Sequence, residues 1–317
     1  MSFASKLRKL YDYYRFRPDS IIIEPTNKCN LTCAVCFRSL PEREPVPEGL
    51  MDIALFEDIL AKSKGSVNKV SLYFRGESLL HPQIVRFIEL CKAKEILVSL
   101  STNGLLLGPD LMEQLISAGL DKLTIDYDEI IGGDYAAIRN TDKAAVVLEK
   151  ILMLNSLKKK LQRRSPEIII KALNRGHDPE TIAAFIKRLE GTGIAGKAQV
   201  SDCFPWPNGR IRPEFPHRLR PRPKVCDMFY QEITVTYQGN ILACSYDYRE
   251  DFVIGHISDY RSVADVYREP SYRLFKRRLL LKRYGEQKPC KTCLLPVLGL
   301  VEGDFALNTM SGSMYDA

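Results

Sequence analysis

The chain has 317 residues, of which 45% are hydrophobic and 27% charged, and its formal net charge is +7. This length allows one large α/β domain with an appendage or two modest domains, and the composition is ordinary for a folded globular protein. No apolar run approaches the roughly 18 residues of a membrane span, no secretory signal is visible, and the mild positive charge does not indicate a nucleic-acid partner. We therefore expect a cytoplasmic protein without a membrane span.

The first two-thirds of the chain alternate between predicted strands and helices. Residues 1–19 carry apolar side chains at helical spacing and predict an amphipathic helix. Buried or alternating apolar runs predict strands near residues 21–23, 70–74, 96–101, 123–125, 168–172 and 198–201. Helical periodicity predicts helices near residues 51–62, 82–93, 143–158 and 179–190, with another after Pro109. Six such repeats over residues 20–203 fit an open six-stranded βα barrel, and they also fit a doubly wound parallel sheet.

The composition changes at residues 204–225, which are rich in proline and arginine and predict an irregular linker. Beyond the linker, residues 232–237 and 241–243 flank a Gln-Gly-Asn turn and predict a β-hairpin. Helical segments are expected near residues 261–282, and the last 20 residues are expected to be loosely structured. These features predict a second, smaller domain over residues 226–317.

The chain contains nine cysteines, which is unusual for a cytoplasmic protein that keeps its thiols reduced. This number favours a metal or redox role over disulfides. Cys91 and Cys203 stand apart from the rest. The other seven form a trio and a quartet, which are Cys29, Cys33 and Cys36, and Cys226, Cys244, Cys290 and Cys293.

The cysteine trio follows the first predicted strand directly, with the spacing C-x₃-C-x₂-C. A structural zinc site takes four ligands, and no histidine or cysteine lies close behind the trio to complete one. Three thiolates suit a [4Fe–4S] cluster whose fourth iron is open to another ligand. In this the chain resembles the radical S-adenosylmethionine (SAM) superfamily, whose signature has an apolar residue, here Val35, before the last cysteine. The resemblance implies a partial (β/α)₆ TIM-like barrel that binds SAM at the open iron and cleaves it to a 5′-deoxyadenosyl radical.

A second segment after a predicted strand strengthens the resemblance. Residues 71–82 read SLYFRGESLLHP, which is similar to the family's strand-end motif that receives the SAM ammonium. Gly76 and Glu77 match the motif, whereas Arg75 and Ser78 depart from it. The resemblance therefore implies that Val35, Gly76 and Glu77 contact SAM.

Two further segments follow the third and fourth predicted strands. Thr102 and Asn103, in the run Ser-Thr-Asn-Gly, are similar to a family motif near the SAM ribose. Arg139, in the run Tyr-Ala-Ala-Ile-Arg, is similar to a family arginine that can reach the SAM carboxylate. Bidentate pairing between a guanidinium and a carboxylate makes this implied role physically reasonable.

The cysteine quartet is spread over the predicted second domain. Twelve residues, Gly239 and four more residues separate Cys226 from Cys244, and Cys290 and Cys293 form a C-x₂-C pair. Taken alone, this pattern fits a structural Cys₄ zinc site as well as a fully ligated [4Fe–4S] cluster. It is similar to the SPASM and shorter twitch extensions of radical SAM enzymes, which implies a second, auxiliary [4Fe–4S] cluster.

The layout as a whole is similar to that of aminocyclitol dehydrogenases with a twitch domain. This similarity implies two-electron oxidation of a small-molecule alcohol or sugar, electron transfer to the auxiliary cluster, and an external donor such as flavodoxin or ferredoxin. Asp126, Tyr127 and Asp202 follow predicted strands and are candidate acceptors of the hydroxyl proton. Cys203 is compatible with a different outcome, an epimerase in which a thiol returns the hydrogen atom. The sequence is also compatible with a ribosomal-peptide maturase and, less well, with a non-catalytic metal-binding protein.

Overall fold

The computed structural model describes residues 19–39, 47–203, 226 and 232–293, and the backbone of residues 302–307. The predicted linker at 204–225 and nearly all of the predicted N-terminal helix lie outside these residues. All six predicted strands are present, as β1 Ser20–Ile23, β2 Lys69–Leu72, β3 Leu97–Thr102, β4 Lys122–Asp126, β5 Glu167–Asn174 and β6 Gly196–Asp202. The helices between them are α1 Ile53–Lys62, α2 Ile84–Lys92, α3 Pro109–Ser117, α4 Asp134–Arg139, α5 Ala144–Lys160 and α6 Pro179–Gly191.

The order of these strands in the sheet distinguishes the two predicted architectures. Strands β1 to β6 are all parallel and lie side by side in the order in which they occur in the chain. A doubly wound sheet reverses its strand order at a switch point, whereas a barrel adds each strand beside the previous one. The structure therefore confirms the partial (β/α)₆ barrel. The carboxyl ends of all six strands lie at one edge, where ligands of such folds bind.

The sheet continues past both edges of the six-stranded core. The predicted hairpin is present as β7 Ile233–Val235 and β8 Asn240–Leu242, and a third strand, β9 Val253–His256, follows. Strand β7 pairs in parallel with β1, so the second part of the chain extends the barrel sheet itself. Helices α7 Val263–Val266 and α8 Pro270–Leu280 confirm the helical segments expected near residues 261–282.

The expectation of loose structure at the end of the chain is wrong for residues 302–307. These residues form β10, Glu302–Leu307, which pairs antiparallel with β6. A strand at the edge of a sheet carries a row of unpaired backbone groups that a distant segment can satisfy. The tertiary fold determines which segment pairs with this edge, so local periodicity does not predict it.

Apolar packing between strands and helices fixes the barrel wall. The side chains of Ile21 and Ile23 are fully buried, and Phe56 of α1 stacks on Phe87 of α2 with ring centroids 3.9 Å apart. The Asp52 side chain caps α1, and proline occupies the first turn of α3 and α6, which explains where these helices begin. Within the part of the chain that the structure describes, no helix is long and apolar enough to cross a membrane.

Candidate functional site

The cysteine trio lies in a tight loop directly beyond β1. The backbone N–H of Cys36 donates to the carbonyl of Cys33 at 3.2 Å, and the hydroxyl of Ser39 donates to the same carbonyl at 2.7 Å. The backbone N–H of Ala34 donates to the carbonyl of Ile138 at 2.8 Å, so the loop is also tied to the end of α4. These hydrogen bonds fix the conformation of the loop that carries the three thiols.

The three thiols lie close enough to influence one another electrostatically. Burial, with a smaller contribution from the neighbouring Cys33 and Cys29 thiols, raises the pKa of Cys36 to about 11. Burial also raises the pKa of Cys29 and of Cys33, while the Arg139 guanidinium opposes the rise at Cys33. Thiolates crowded together in this way need positive charge, which iron ions supply. The donor set therefore fits an iron–sulfur cluster with three protein ligands.

The loops after β2 and β3 converge on the trio loop. The backbone N–H of Glu77 donates to the carbonyl of Lys28, next to Cys29, at 2.7 Å. Its buried carboxylate accepts from the backbone N–H of Asn103 at 2.8 Å, and the Asn103 amide donates to Asn30 at 2.8 Å. Thr102 is buried at the end of β3 and accepts from the backbone N–H of Gly104 at 3.0 Å.

Gly76 lies where the loop after β2 passes very close to the backbone of the loop after β1. A Cβ atom at this position would lie 2.3 Å from the carbonyl oxygen of Thr26 and 2.4 Å from that of Lys28. Both atoms belong to backbone and cannot move aside as a flexible side chain can. Glycine is therefore required here by the approach of the two loops.

Arg139 lies over the trio at the end of α4. Its Nη1 is 3.8 Å from the Cys33 sulfur, its Nη2 is 3.2 Å from Asp126, and its Nε donates to Asp128. Asp128 is fully buried and also accepts from the backbone N–H of Leu173 at 2.7 Å. Burial raises the pKa of Asp128, and the neighbouring guanidinium opposes that rise. Arg139 is thus held rigidly beside the predicted cluster, with its charge balanced by two aspartates.

Cys203, at the end of β6, also belongs to this edge of the sheet. It is 3% exposed and forms a small apolar cluster with Ile138, against which Val35 and Leu173 pack. Burial raises its pKa to about 12, and the carboxylates of Asp128 and Asp202 add to the rise. The thiol is therefore protonated at neutral pH and lies next to the apolar residue of the cysteine motif.

The three predicted proton acceptors have different surroundings. Asp126 is paired with Arg139, and Asp202 accepts from the Asn174 amide at 3.1 Å beside Cys203. Tyr127 follows Asp126 and points to the opposite side of the strand, where its ring packs 6.3 Å from that of Phe185 on α6. The structure thus brings Asp126 and Asp202 to the site and places Tyr127 in the outer helix layer.

The cysteine quartet converges in the second part of the chain. Burial raises the pKa of Cys244 well above its ordinary value, and the thiols of Cys226, Cys290 and Cys293 each add to that rise. The backbone N–H of Tyr246 donates to the Cys244 sulfur at 3.4 Å. The Cys293 N–H donates to the carbonyl of Cys290 at 3.2 Å, which closes the C-x₂-C turn. Four half-buried cysteines, three of whose thiols act electrostatically on the fourth, fit a fully ligated iron–sulfur cluster.

Neither cysteine group is arranged for one small ion. Among the residues that the structure describes, no group of three or more His, Cys, Asp or Glu side chains could hold a single metal ion.

Sequence comparison agrees with this geometry. The profile of the radical SAM superfamily matches residues 23–151, from the end of β1 into α5. Residues 23–151 form a radical SAM domain. A second profile, of the SPASM iron–sulfur cluster-binding domain, matches residues 226–294 and includes the whole quartet. The predicted cofactors, SAM with its cluster and an auxiliary iron–sulfur cluster, are confirmed at the level of these domains.

The names of two curated relatives point to different molecules on which they act. The tungsten-containing aldehyde ferredoxin oxidoreductase cofactor-modifying protein of Pyrococcus furiosus is 26% identical over 187 residues, which cover 58% of this chain and 51% of that protein. This chain therefore spans about half the length of that relative. The SAM-dependent 2-deoxy-scyllo-inosamine dehydrogenase of Niallia circulans is 23% identical over 292 residues, which cover 86% of this chain and 91% of that protein.

A solved structure shows a similar fold. Streptococcus suis SuiB bound to its precursor peptide SuiA superimposes with a TM-score of 0.66 over 86% of this chain and 70% of that one. The sequence identity is 14%, so the similarity concerns the fold alone.

Sequence reasoning missed two groups of paired ionisable side chains at this edge of the sheet. Asp134 at the start of α4 pairs with Arg175 at 3.1 Å and with His177 at 2.7 Å, both just beyond β5. Glu24, directly after β1, pairs with Arg75 at 2.6 Å. The position of each residue at a strand or helix end was a usable signal, but the pairings join segments that are far apart in the chain.

Proposed function

We propose that this protein oxidises an alcohol group of a small molecule, such as a sugar or aminocyclitol, by radical SAM chemistry. The observation that carries the proposal is the meeting of the thiol trio, Arg139 and the Asp202–Cys203 pair at one edge of a barrel that also carries a four-cysteine site. Support also comes from the 2-deoxy-scyllo-inosamine dehydrogenase, which is similar to this chain over 86% of its length. A reductant such as flavodoxin or ferredoxin belongs to the same proposal.

The chain's own residues would bind the cofactors and move one proton. When bound, SAM and the two clusters supply a radical that removes a hydrogen atom from carbon and an acceptor for the remaining electron. The β2 and β3 loops, through Glu77 and Asn103, are hydrogen-bonded to the trio loop and to each other, which would fix the SAM-binding edge of the barrel. Asp202 would accept the hydroxyl proton of the substrate. Asp126 fits this role less well because Arg139 already stabilises its charge at 3.2 Å.

The proposal is tested with anaerobically reconstituted protein and a panel of aminocyclitols and sugars labelled with deuterium at carbon. A substrate should increase formation of 5′-deoxyadenosine, transfer one deuterium to it, and yield a ketone. Asp202→Asn should lower ketone formation by about 10²-fold, since general-base catalysis contributes about that much, while SAM binding persists. Deuterium transfer without any ketone would contradict the oxidation.

An epimerase is the second candidate, because Cys203 packs with Ile138 against Val35 of the cysteine motif and keeps its proton. Cys203→Ala separates the two reactions. Under oxidation, we expect the variant to form ketone much as the parent does. Under epimerisation, the variant should consume SAM but lose both the epimer and the deuterium that the parent takes up from heavy water. Cys91→Ala is the matched control, because Cys91 is equally buried but lies in α2.

A further inference from the structure

Arg75 is one of the two residues at which the chain departs from the SAM-binding motif, and it is deeply buried. Its side chain is 1% exposed, and that of Glu24 is fully buried. Nε and Nη2 of the guanidinium contact the two carboxylate oxygens of Glu24 at 2.8 and 2.6 Å. This is a bidentate pair between the ends of β2 and β1, the strands that carry the SAM-binding loop and the cysteine trio.

The third nitrogen of the same guanidinium reaches into the second part of the chain. Nη1 of Arg75 is 2.6 Å from Oε1 of Glu250 and 3.4 Å from the carbonyl of Tyr248. The Oε2 atom of Glu24, which Nη2 contacts, also accepts from the backbone N–H of Tyr237 at 3.1 Å. One buried ionic group therefore joins β1, β2 and the segment after β7.

The segment that Arg75 contacts is the loop that begins at Cys244. Asp247 organises this loop: its N–H donates to the Cys244 carbonyl at 3.0 Å. Its carboxylate accepts from the N–H groups of Asp251 and Phe252 at 2.9 and 2.8 Å. Glu250 is fixed further by the Asn240 amide at 2.7 Å. Hydrogen bonds within this loop therefore link the position of Glu250 to that of Cys244.

The same loop also touches the residue next to the trio. The ring of Phe37, which follows Cys36, lies 4.6 Å from the ring of Tyr248. Phe37 and Tyr248 are 3% and 4% exposed. The trio loop and the Cys244 loop therefore meet through an aromatic contact, with the Arg75 guanidinium bonded to the carbonyl of the same tyrosine.

We propose that Arg75, held between Glu24 and Glu250, is a positioning residue that fixes the Cys244 loop of the auxiliary cluster relative to the trio loop. The proposal rests on the two-cluster enzyme proposed above. Although burial opposes a charge, the carboxylates of Glu24 and Glu250 raise the pKa of Arg75, which keeps its guanidinium charged. Lysine can replace it only in part, because an ammonium lacks the planar fork that serves Glu24 and Glu250 together.

The test uses three variants of the holoprotein, which are Arg75→Lys, Arg75→Met and the double variant Glu24→Gln/Arg75→Met. Arg75→Met alone leaves Glu24 buried without its cation and is expected to impair folding. The double variant removes the two charges of the fully buried pair, leaves Glu250 with its Asn240 contact, and is the informative one. The matched control is Arg86→Met/Glu89→Gln, which removes an exposed pair on α2 with 54% and 47% side-chain exposure.

The decisive measurement is the magnetic interaction between the two reduced clusters by electron paramagnetic resonance, together with their iron content. We expect the double variant to keep both clusters but to lose the defined inter-cluster coupling, with Arg75→Lys in between and the surface control unchanged. Hydrogen exchange should rise in residues 244–252. Dithionite-driven SAM cleavage without substrate should change less than about twofold, because Glu77 keeps its own bonds to Lys28 and Asn103.

Two results would overturn the proposal. One is a double variant whose inter-cluster coupling and exchange in residues 244–252 equal those of the parent. The other is loss of SAM cleavage with the coupling intact, which would make Arg75 part of the SAM site. A parent protein that takes up only one cluster, or none, refutes the two-cluster enzyme itself, and iron analysis of the parent identifies that failure separately.

Discussion

Replacing Cys29, Cys33 and Cys36 together by alanine is expected to remove about half of the iron, about four of eight atoms per chain, and all formation of 5′-deoxyadenosine. The three thiols form one group that the loop after β1 holds, and Arg139 donates to the sulfur of one of them at 3.8 Å. Without them no cluster with an open iron can form. Iron analysis and anaerobic SAM cleavage after reconstitution measure both effects.

The quartet provides the reciprocal control. Replacing Cys290 and Cys293 by alanine should remove the other half of the iron and leave reductive SAM cleavage in place, because the trio lies on a separate loop. Cys91→Ala should retain all of the iron. Full iron content and SAM cleavage in the trio variant would refute the assignment of the site.

Gly76→Ala is expected to weaken SAM binding by about 10- to 100-fold, the equivalent of about 1–3 kcal/mol of steric strain. The new Cβ would meet the backbone oxygens of Thr26 and Lys28 at 2.3 and 2.4 Å. Relief of that overlap requires the β1 and β2 loops to separate, which also breaks the 2.7 Å bond from the Glu77 N–H to Lys28. Isothermal titration of the reconstituted protein with SAM measures the change in affinity.

Gly191→Ala is the matched control for this substitution. A Cβ at position 191, at the end of α6, meets no atom within 4 Å. Alanine favours a helix over glycine by about 0.5–1 kcal/mol, so this variant should bind SAM normally and resist unfolding slightly better. Equal SAM affinity in the Gly76 and Gly191 variants would show that the close approach of the loops has no part in binding.

The ion pairs of Arg75 with Glu24 and Glu250 show why a departure from a motif calls for a structural explanation. In the sequence alone, Arg75 leaves the path of the SAM-binding loop uncertain. The structure shows that Gly76 keeps its close approach and that the extra guanidinium turns toward Glu24 and Glu250. A substitution in a cofactor motif can thus add a contact between two parts of a chain without displacing the residues beside it.

The pattern of neighbouring residues was sufficient to predict the strands and long helices that carry the candidate site residues. β-branched runs such as Ile21–Ile23 and helical periodicity determine β1 to β6 and the long helices, because both signals depend on neighbouring residues. The spacing of Cys29, Cys33 and Cys36 identified the trio for the same reason. Helix α4 was missed, since six residues between Gly133 and Asn140 give too short a pattern to recognise.

The sequence by itself determined the strand–helix repeat, the two cysteine groups and the placement of Gly76, Glu77 and Asn103 after strands. Only the tertiary structure decided that the strands lie in barrel order, that β7 and β10 extend the sheet, and that Tyr127 turns toward α6. It also decided which buried charges pair, such as Arg75 with Glu24 and Glu250. The physical reason is that periodicity and spacing reflect neighbours along the chain, whereas sheet order and buried ion pairs depend on which distant segments exclude water together.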